Sequence, residues 1–496
     1  MPQHISQSKV CNKVSLKCTS CDSELSESLT RFWNTESVPQ TFNEKSTEEE
    51  LCEYIFKNTV QLKDRHFEVA LPLKLPLNEI NDTLGDSFHF ALKRFLNLEK
   101  KLHQNPVLFT EYQKFIQEYL TLKHGHYVDI ELYDLNKDAV YFLPHHAVIK
   151  ADSKTTKLRA VFDGSMKTNK RVSLNDLLLN GPVVQRDLFD IIMLFRLGDF
   201  TFTSDIKRMF RNVRLREEHT SLQNILWRDS PSENVKCIRL DTVTYGLKSS
   251  SYLATRCLEE LASKHERNLP LASFIIRNCT YVDDILFSDN KLDNVLEAKS
   301  QLRELLSLGG FHTHKWSSNS SDVLVDTPLT EQHFDEIELK EENCSLKALG
   351  LHIVMKEDQF RMSCPDSYDP SRVTKRDILS YISKFYDPMG FVSPIIVHAK
   401  AIMQKIWSAG IDWNAVPPDD IKKEWLEFAS SLAVMPPIYI KRNIHVSDSD
   451  IVELIGFADA SSSTAYGCCA YLRVTDCTDR KQRHQNSLWV PCRRKG

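Results

Sequence analysis

Hydrophobic positions recur at helical spacing in some stretches of this chain and alternate in others. Within 87–122, for example, Phe88, Ala91, Leu92 and Phe95 fall on one helical face. The helical pattern predicts helices over six stretches: 47–60, 87–122, 291–308, 373–387, 395–409 and 418–434. A further helix is expected after the turn at Tyr245-Gly246.

Strand-like stretches lie between these helices. Residues 273–288 predict a β-hairpin, with Phe274-Ile275-Ile276 in its first strand and Ile285-Leu286-Phe287 in its second. Further strands are predicted over 139–149 (broken by Pro144), 200–205, 346–354, 451–459 and 466–474. The mixture of elements predicts an α+β fold.

The composition is that of an ordinary globular protein, with 42% hydrophobic and 26% charged residues, and a length of 496 residues predicts two to four domains. A net charge of −4 argues against a protein that coats nucleic acid indiscriminately. Two stretches, 146–172 and 204–216, are nevertheless basic. They indicate a local basic cleft, and a solvated surface is the alternative for each.

The thirteen cysteines are scattered, and the chain shows neither a secretory leader nor a run of about 18 apolar residues. These features favour reduced thiols in an intracellular compartment and no membrane partner. A cytoplasmic, particle-associated location is expected, with the nucleus as the alternative. Cys18-x-x-Cys21, with Cys11 nearby, lacks the second ligand pair of a zinc finger, so zinc binding stays open.

The candidate chemistry is at Tyr281-Val282-Asp283-Asp284, where two adjacent acids lie between apolar flanks. Buried like charges repel unless a proton or a cation neutralises them, and a divalent metal at a hairpin tip would do so. Asp205 ends another predicted strand, and a strand–helix–hairpin order would bring its carboxylate to the same sheet end. An Asp-rich turn is the alternative for the motif taken alone.

Seven segments follow one another in a recognisable order: Leu158–Ser165, Ser173–Pro182, Asp205–Phe210, Thr244–Ser250, Tyr281–Asp284, Gly309–Trp316 and Lys347–Leu351. In this order they resemble the reverse transcriptase region of Pao/BEL-type retrotransposon polyproteins, from about Leu29 to about Arg473. The resemblance implies a right-hand polymerase, with fingers, a palm built on an antiparallel sheet, and a helical thumb or connection. A truncated ribonuclease H-like α/β stub would follow.

The resemblance also implies the catalytic residues. Asp205 and Asp283 would bridge two Mg²⁺ (or Mn²⁺) ions, and Asp284 would be the third acid. Lys315 matches a position suspected of protonating the leaving pyrophosphate, and a surface lysine is the alternative. These roles agree with the chemistry of phosphoryl transfer, which depends chiefly on positioning and charge neutralisation.

Seven positions match substrate-binding residues of the family. Lys150 and Arg159 would grip the incoming triphosphate, and Phe210 would be the steric gate that excludes a 2′-hydroxyl. The rest of the implied set forms the nucleotide pocket and the primer end: Tyr245, Gly246, Lys248 and Tyr281. The implied substrates are deoxynucleoside triphosphates and a primer–template, and the chain does not indicate its oligomeric state.

The resemblance divides the chain into a polar linker after an absent protease (1–60), N-terminal helices and fingers (61–200), palm (201–345), thumb or connection (346–445) and an incomplete ribonuclease H-like start (446–496). The last of these holds Asp459 as an orphan acid, and we expect it to pack poorly and to have no ribonuclease H activity. Neither Asp-Thr-Gly nor Asp-Ser-Gly occurs, so protease activity is not expected.

These expectations describe an RNA-directed DNA polymerase. Its rivals are a decayed, catalytically silent retroelement fragment that only binds nucleic acid and, more distantly, an RNA-copying RNA polymerase. Phe210 argues against the last of these.

Overall fold

The computed structural model of the protein describes residues 46–134, 138–149, 158–333, 346–364, 368–446, 450–460, 466–475 and 482–493. Lys150, the cysteines at 11, 18 and 21, and most of the predicted 1–60 linker lie outside these residues. In the described part of the chain, every helix is too short or too polar to cross a membrane.

The helices begin and end at residues that favour those positions. Ser46 and Glu49 form a capping box before the first helix, and Asn105 caps a helix that starts with Pro106. In chain order the helices are α1 Thr47–Thr59, α2 Leu77–Leu84, α3 Phe88–His103, α4 Pro106–Thr121, α5 Leu174–Leu177, α6 Leu188–Phe195, α7 Glu217–Thr220, α8 Ser250–His265, α9 Pro270–Asn278, α10 Leu292–Leu308, α11 Lys375–Ile382, α12 Ser393–Ser408 and α13 Asp419–Ala433.

The strands are short in the first three quarters of the chain and long at its end. They are β1 Gln61–Lys63, β2 His66–Val69, β3 Gly125–Val128, β4 His145–Ile149, β5 Leu158–Phe162, β6 Phe200–Ile206, β7 Arg214–Leu215, β8 Asn224–Trp227, β9 Lys236–Leu240, β10 Thr280–Tyr281, β11 Asp284–Asp289, β12 Thr313–Ser318, β13 Leu346–Ala348, β14 Leu351–Val354, β15 Gln359–Met362, β16 Ile438–Lys441, β17 Ile451–Ala460, β18 Tyr466–Thr475 and β19 Gln482–Arg493.

The sheet that matters for the candidate site has the order β10-β11-β6-β12, with every pair antiparallel. A second four-stranded antiparallel sheet has the order β13-β14-β15-β16. Smaller sheets are β1-β2-β7, β3-β9-β8, β4-β5 and the C-terminal β17-β18-β19. Only β2 and β7 are parallel among these paired strands of the described residues. The mixture confirms the predicted α+β class.

Within the described residues, three apolar cores hold most of these elements. The largest joins the N-terminal helices, the helices α8 to α10 and the sheet that contains β6. The second packs α6 against the sheet of β13 to β16. The third is formed by the helices α11, α12 and α13 around the buried Trp425. The second core places the β13–β14 hairpin beside the end of β11.

Several predicted elements need correction. The run Phe274-Ile275-Ile276 is helical, as part of α9, and the first strand of the hairpin is only β10. Pro270 starts that helix, and an apolar run this short does not distinguish a buried helix from a buried strand. Residues 346–354 form two strands with a tight turn, and 139–149 holds a strand only from His145. The helix predicted over 373–387 ends at Ile382.

The C-terminal sheet has three strands, with β18 paired to β17 on one side and to β19 on the other. The side chains of β17 are nevertheless poorly covered, since Leu454 and Phe457 are 69% and 59% exposed. For this strand the exposure agrees with the expectation of poor packing.

Candidate active site

Tyr281–Asp284 forms a tight hairpin in the four-stranded sheet. β10 and β11 stay paired up to Tyr281↔Asp284, so only Val282 and Asp283 remain in the turn. Val282 has a φ of +58°, which costs an L-residue roughly 1–2 kcal/mol and is usually assigned to glycine or asparagine in such turns. The surrounding sheet therefore holds a strained turn with Asp283 at its tip.

Asp205 meets these acids from the neighbouring strand. β11 pairs with β6 so that Asp284 is directly opposite Asp205, which puts their Cβ atoms roughly 5 Å apart on one face. The N–H of Ile206 donates to the carbonyl of Asp283 over 2.9 Å and ties the hairpin tip to the end of β6. The strand pairing thus brings Asp205 next to a pair of adjacent acids that lie far from it in the sequence.

A β-bulge in β12 directs Lys315 at Asp205. His314 is opposite Asp205 and Ser317 is opposite Thr203, so two residues of β12 face a single residue of β6. Lys315 takes a φ of +56°, and its Nζ donates to Asp205 Oδ2 at 2.7 Å. His314 Nδ1 lies 3.6 Å from Asp205 Oδ1. A cationic side chain therefore partners the first of the three acids.

Burial and mutual repulsion disfavour the charged forms of the two hairpin acids. Desolvation, followed by repulsion from Asp205, raises the pKa of Asp283. Desolvation, followed by repulsion from Asp283 and then Asp205, raises the pKa of Asp284 to about 7. The backbone N–H of Leu349 and the charge of Lys315 lower the pKa of Asp284 without cancelling that rise. A bound cation would relieve the repulsion.

The donor set suits a hard divalent cation such as Mg²⁺, which takes oxygen ligands and needs only a few protein carboxylates. Asp205, Asp283 and Asp284 supply such oxygens in a partly buried place. In the part of the chain that the structure describes, however, no three His, Cys, Asp or Glu side chains are drawn together as a formed metal centre. Asp205 is turned toward Lys315 instead. The three acids therefore fit the chemistry of a magnesium site. In this structure, however, Lys315 is paired with one of them, Asp205.

Arg159, one of the predicted pocket residues, lies close enough to Asp283 and Tyr245 to influence their pKa values. Arg159, exposed on β5, lowers the pKa of both Asp283 and Tyr245 against the larger effect of burial. Gly246 has a φ of +95°, and a Cβ there would lie 2.1 Å from the carbonyl oxygen of Phe162. Glycine is therefore required because the pocket loop packs directly on the backbone of β5.

Asn175 has a role that the sequence did not reveal. Its side-chain amide donates to the Gly246 carbonyl at 3.1 Å and to Ser165 Oγ at 2.9 Å, and its oxygen accepts from the N–H of Lys248 at 2.8 Å. Asn175 thereby joins two predicted motifs and fixes the loop of Gly246, while the side chain of Lys248 is exposed. Its place inside the Ser173–Pro182 segment was the available signal.

A partly buried cluster around Arg211 and Tyr119 lies next to Tyr245. Arg211 packs its guanidinium 4.0 Å from the ring centre of Tyr119, donates from Nε to His124 Nδ1 at 2.9 Å and pairs with Glu118 at 3.0 Å. Burial raises the pKa of Tyr119 and of Tyr245, whose phenols lie against each other. This arginine of the basic stretch 204–216 is therefore part of the core, and not of a solvated surface.

The remaining predicted residues divide between this region and the far end of the chain. Phe210 is half-buried in the short 3₁₀ helix after β6 and packs against the largest core. Tyr281 is half-buried against the second core. Asp459 is exposed on the C-terminal sheet, and the metal-type side chains of the described residues do not gather around it.

A search of curated proteins finds no match. Among solved structures, the chain is similar to a foamy viral protease-reverse transcriptase in complex with double-stranded DNA, at 14% identity and a TM-score of 0.47. The similarity covers 98% of this chain and 70% of that chain.

A family model described as the Pao retrotransposon-like RNaseH-like domain matches residues 374–490. The match begins inside the predicted thumb or connection and continues past Arg473, where the sequence resemblance was expected to end. Over residues 374–490, less than half of its length, the chain is therefore similar to the RNaseH-like domain of Pao retrotransposons.

Proposed function

We propose that this chain is the RNA-directed DNA polymerase region of a retrotransposon, which adds deoxynucleotides to a primer on an RNA or DNA template. One observation carries the proposal: Asp205 and Asp284 are directly opposite each other on antiparallel strands, with Asp283 at the adjoining hairpin tip. The two hairpin acids keep a raised pKa there, which calls for a neutralising cation.

Asp205 and Asp283 would hold two Mg²⁺ or Mn²⁺ ions, with Asp284 as the third acid. When bound, such ions activate the primer hydroxyl and neutralise the triphosphate and its leaving group. Lys315, now paired with Asp205 at 2.7 Å, would be released by the metal and become free to protonate the pyrophosphate.

The other residues would position the nucleotide. Arg159 and Lys150 would bind the triphosphate, since guanidinium groups match phosphate in a two-point fork. Phe210 would lie under the sugar and clash with a 2′-hydroxyl. Tyr245 and Gly246, with Lys248 nearby, would form the pocket floor, and Tyr281 would pack near the primer end.

Primer extension on an RNA template with Mg²⁺ or Mn²⁺ tests the proposal. Extension should be abolished in Asp283→Asn and retained in Asp289→Asn, a matched control at the other end of β11. Equal extension by both variants would contradict the assignment of the acids.

Binding of the primer–template without any extension would instead support the decayed, silent fragment. The affinity should fall steeply with salt in either case, because phosphate contacts release counterions. Incorporation of ribonucleotides at an efficiency comparable to that of deoxynucleotides would favour an RNA-copying polymerase and would contradict the role of Phe210.

A further inference from the structure

Tyr386 lies beside the acid cluster although it belongs to none of the seven sequence segments. It follows α11, in the region matched by the RNaseH-like family model. Its ring packs against Gly350 so closely that a Cβ on that residue would lie 2.6 Å from Cε1. Burial, followed by the influence of Tyr281, raises the pKa of Tyr386. Tyr386 is therefore close to the catalytic hairpin.

The turn between β13 and β14 connects Tyr386 to the acids. Leu349 and Gly350 form this turn with φ angles of +51° and +81°, and the strands close at Ala348↔Leu351. The backbone N–H of Leu349 interacts with the carboxylate of Asp284. In this two-residue turn, Leu349 thus contacts the third acid, Asp284, and Gly350 contacts the ring of Tyr386.

Tyr386 is also open to solvent. It is 45% exposed, and within the described residues no hydrogen bond reaches its hydroxyl. Packing on Gly350 fixes the ring, so little side-chain entropy is left to lose when a ligand binds. A fixed aromatic ring with a free hydroxyl is suited to a nucleic-acid end, where every base offers a face for stacking and every linkage an acceptor oxygen.

We propose that Tyr386 contacts the 3′ end of the primer strand, with its ring against the terminal nucleotide and its hydroxyl donating to the last internucleotide phosphate. The proposal rests on the proposed polymerase function and adds a substrate contact from a region outside the polymerase motifs. It also makes the region matched by the RNaseH-like model a part of the polymerase site.

A purely structural task for Tyr386 has a different consequence. If the ring only supported the β13–β14 turn, its removal would lower the stability of the protein and affect all nucleic acids equally. Contact with the primer end instead predicts an effect that depends on the chemistry of that end.

The test uses the full chain and a primer–template with 2-aminopurine at the primer 3′ terminus, whose fluorescence reports stacking without requiring catalysis. Wild type and Tyr386→Phe should quench the probe, and Tyr386→Ala should not. Tyr386→Ala should also bind the recessed primer end roughly tenfold more weakly, within the range known for aromatic–base stacking. Tyr439→Ala is the matched control, because Tyr439 is 48% exposed on β16, and it should behave as wild type.

A second substrate isolates the hydroxyl and remains informative if Tyr386→Ala does not fold. With a neutral methylphosphonate in place of the last phosphodiester, only an uncharged and weaker phosphoryl acceptor remains, so wild type and Tyr386→Phe should differ less. With the natural linkage, Tyr386→Phe should bind roughly two- to fivefold more weakly, as expected for one hydrogen bond.

Thermal unfolding of each variant separates stability from binding. The proposal is overturned if folded Tyr386→Ala quenches the probe as wild type does, or if Tyr386→Phe binds both linkages as wild type does. Failure of the proposed function has another signature, since wild type would then quench the probe yet extend no primer with Mg²⁺ or Mn²⁺.

Discussion

Replacing Asp284 with asparagine should stabilise the metal-free protein at neutral and alkaline pH while abolishing its proposed activity. Burial first, and then Asp283 and Asp205, raise the pKa of Asp284 to about 7 from an ordinary value of 3.8. A difference of about 3 pKa units corresponds to about 4 kcal/mol between the charged and neutral forms. The charged side chain of Asp284 therefore destabilises the folded protein in the absence of metal.

The sign follows from proton binding. Between pH about 4 and about 7 the folded protein keeps a proton on Asp284 that the unfolded chain has released, so this group makes stability fall as pH rises. Above pH about 7 the full destabilisation is present. Asparagine carries no charge, so the gain from Asp284→Asn should be about 1 kcal/mol at pH 4.5 and should approach about 4 kcal/mol at pH 8.

Urea unfolding in EDTA measures this gain. Wild type, Asp284→Asn and the exposed control Asp322→Asn would be compared at pH 4.5 and pH 8, with Mg²⁺ added in a parallel series. Mg²⁺ should stabilise wild type at pH 8 more than it stabilises Asp284→Asn, because ligand binding to the folded state adds stability. A gain for Asp284→Asn that is the same at both pH values, or no gain at pH 8, would refute the reasoning.

Three further changes test other parts of the structure. Val282→Asn should stabilise the protein by about 1 kcal/mol, because asparagine adopts the φ of +58° at less cost than valine; an unchanged urea midpoint would contradict strain at the turn. Lys299→Met should destabilise the protein by about 3 kcal/mol, because the Nζ of this 1% exposed lysine donates to Val323 O at 2.6 Å and to Thr327 Oγ1 at 2.7 Å. Urea unfolding measures the loss. A loss under 1 kcal/mol would show that water replaces the lysine as the hydrogen-bond donor to these oxygens. Burial lowers the pKa of His219 to about 4. Below pH about 6.5 this histidine therefore binds a proton in the unfolded chain, whereas in the folded protein it stays neutral until about pH 4. His219→Gln should therefore lose less stability than wild type between pH 6.5 and 4.5, and parallel losses in the two proteins would contradict the neutral buried state.

Local sequence chemistry was enough for most elements with strong periodicity or capping. The helix predicted over 47–60 appears as α1, with its Ser46 capping box, and the helix predicted over 291–308 appears as α10, ending at Gly309. The strand predicted over 200–205 appears as β6. These elements depend on hydrogen bonds and side-chain faces within one segment, and such interactions can be derived from the residues of that segment alone.

Elements with short apolar runs were not determined in this way. Phe274-Ile275-Ile276 is compatible with a buried strand or a buried helix, and packing of α9 against α8 and α10 selects the helix. The turn at Leu349 and Gly350 likewise depends on the second core and on Tyr386. In both cases the decisive neighbours belong to other elements of the chain, whose positions the short run itself does not set.

The same division applies to the candidate site. The sequence by itself determined which residues are the candidates for the chemistry, because Asp205, Asp283, Asp284 and Lys315 stand in recognisable motifs. Only the tertiary structure decided how they meet: the register of β11 against β6, the bulge that turns Lys315 toward Asp205, and the approach of Tyr386. Residue types are fixed by the chain, whereas pKa values, strained turns and contacts between distant segments arise from burial and strand pairing, which exist only after the whole chain has packed.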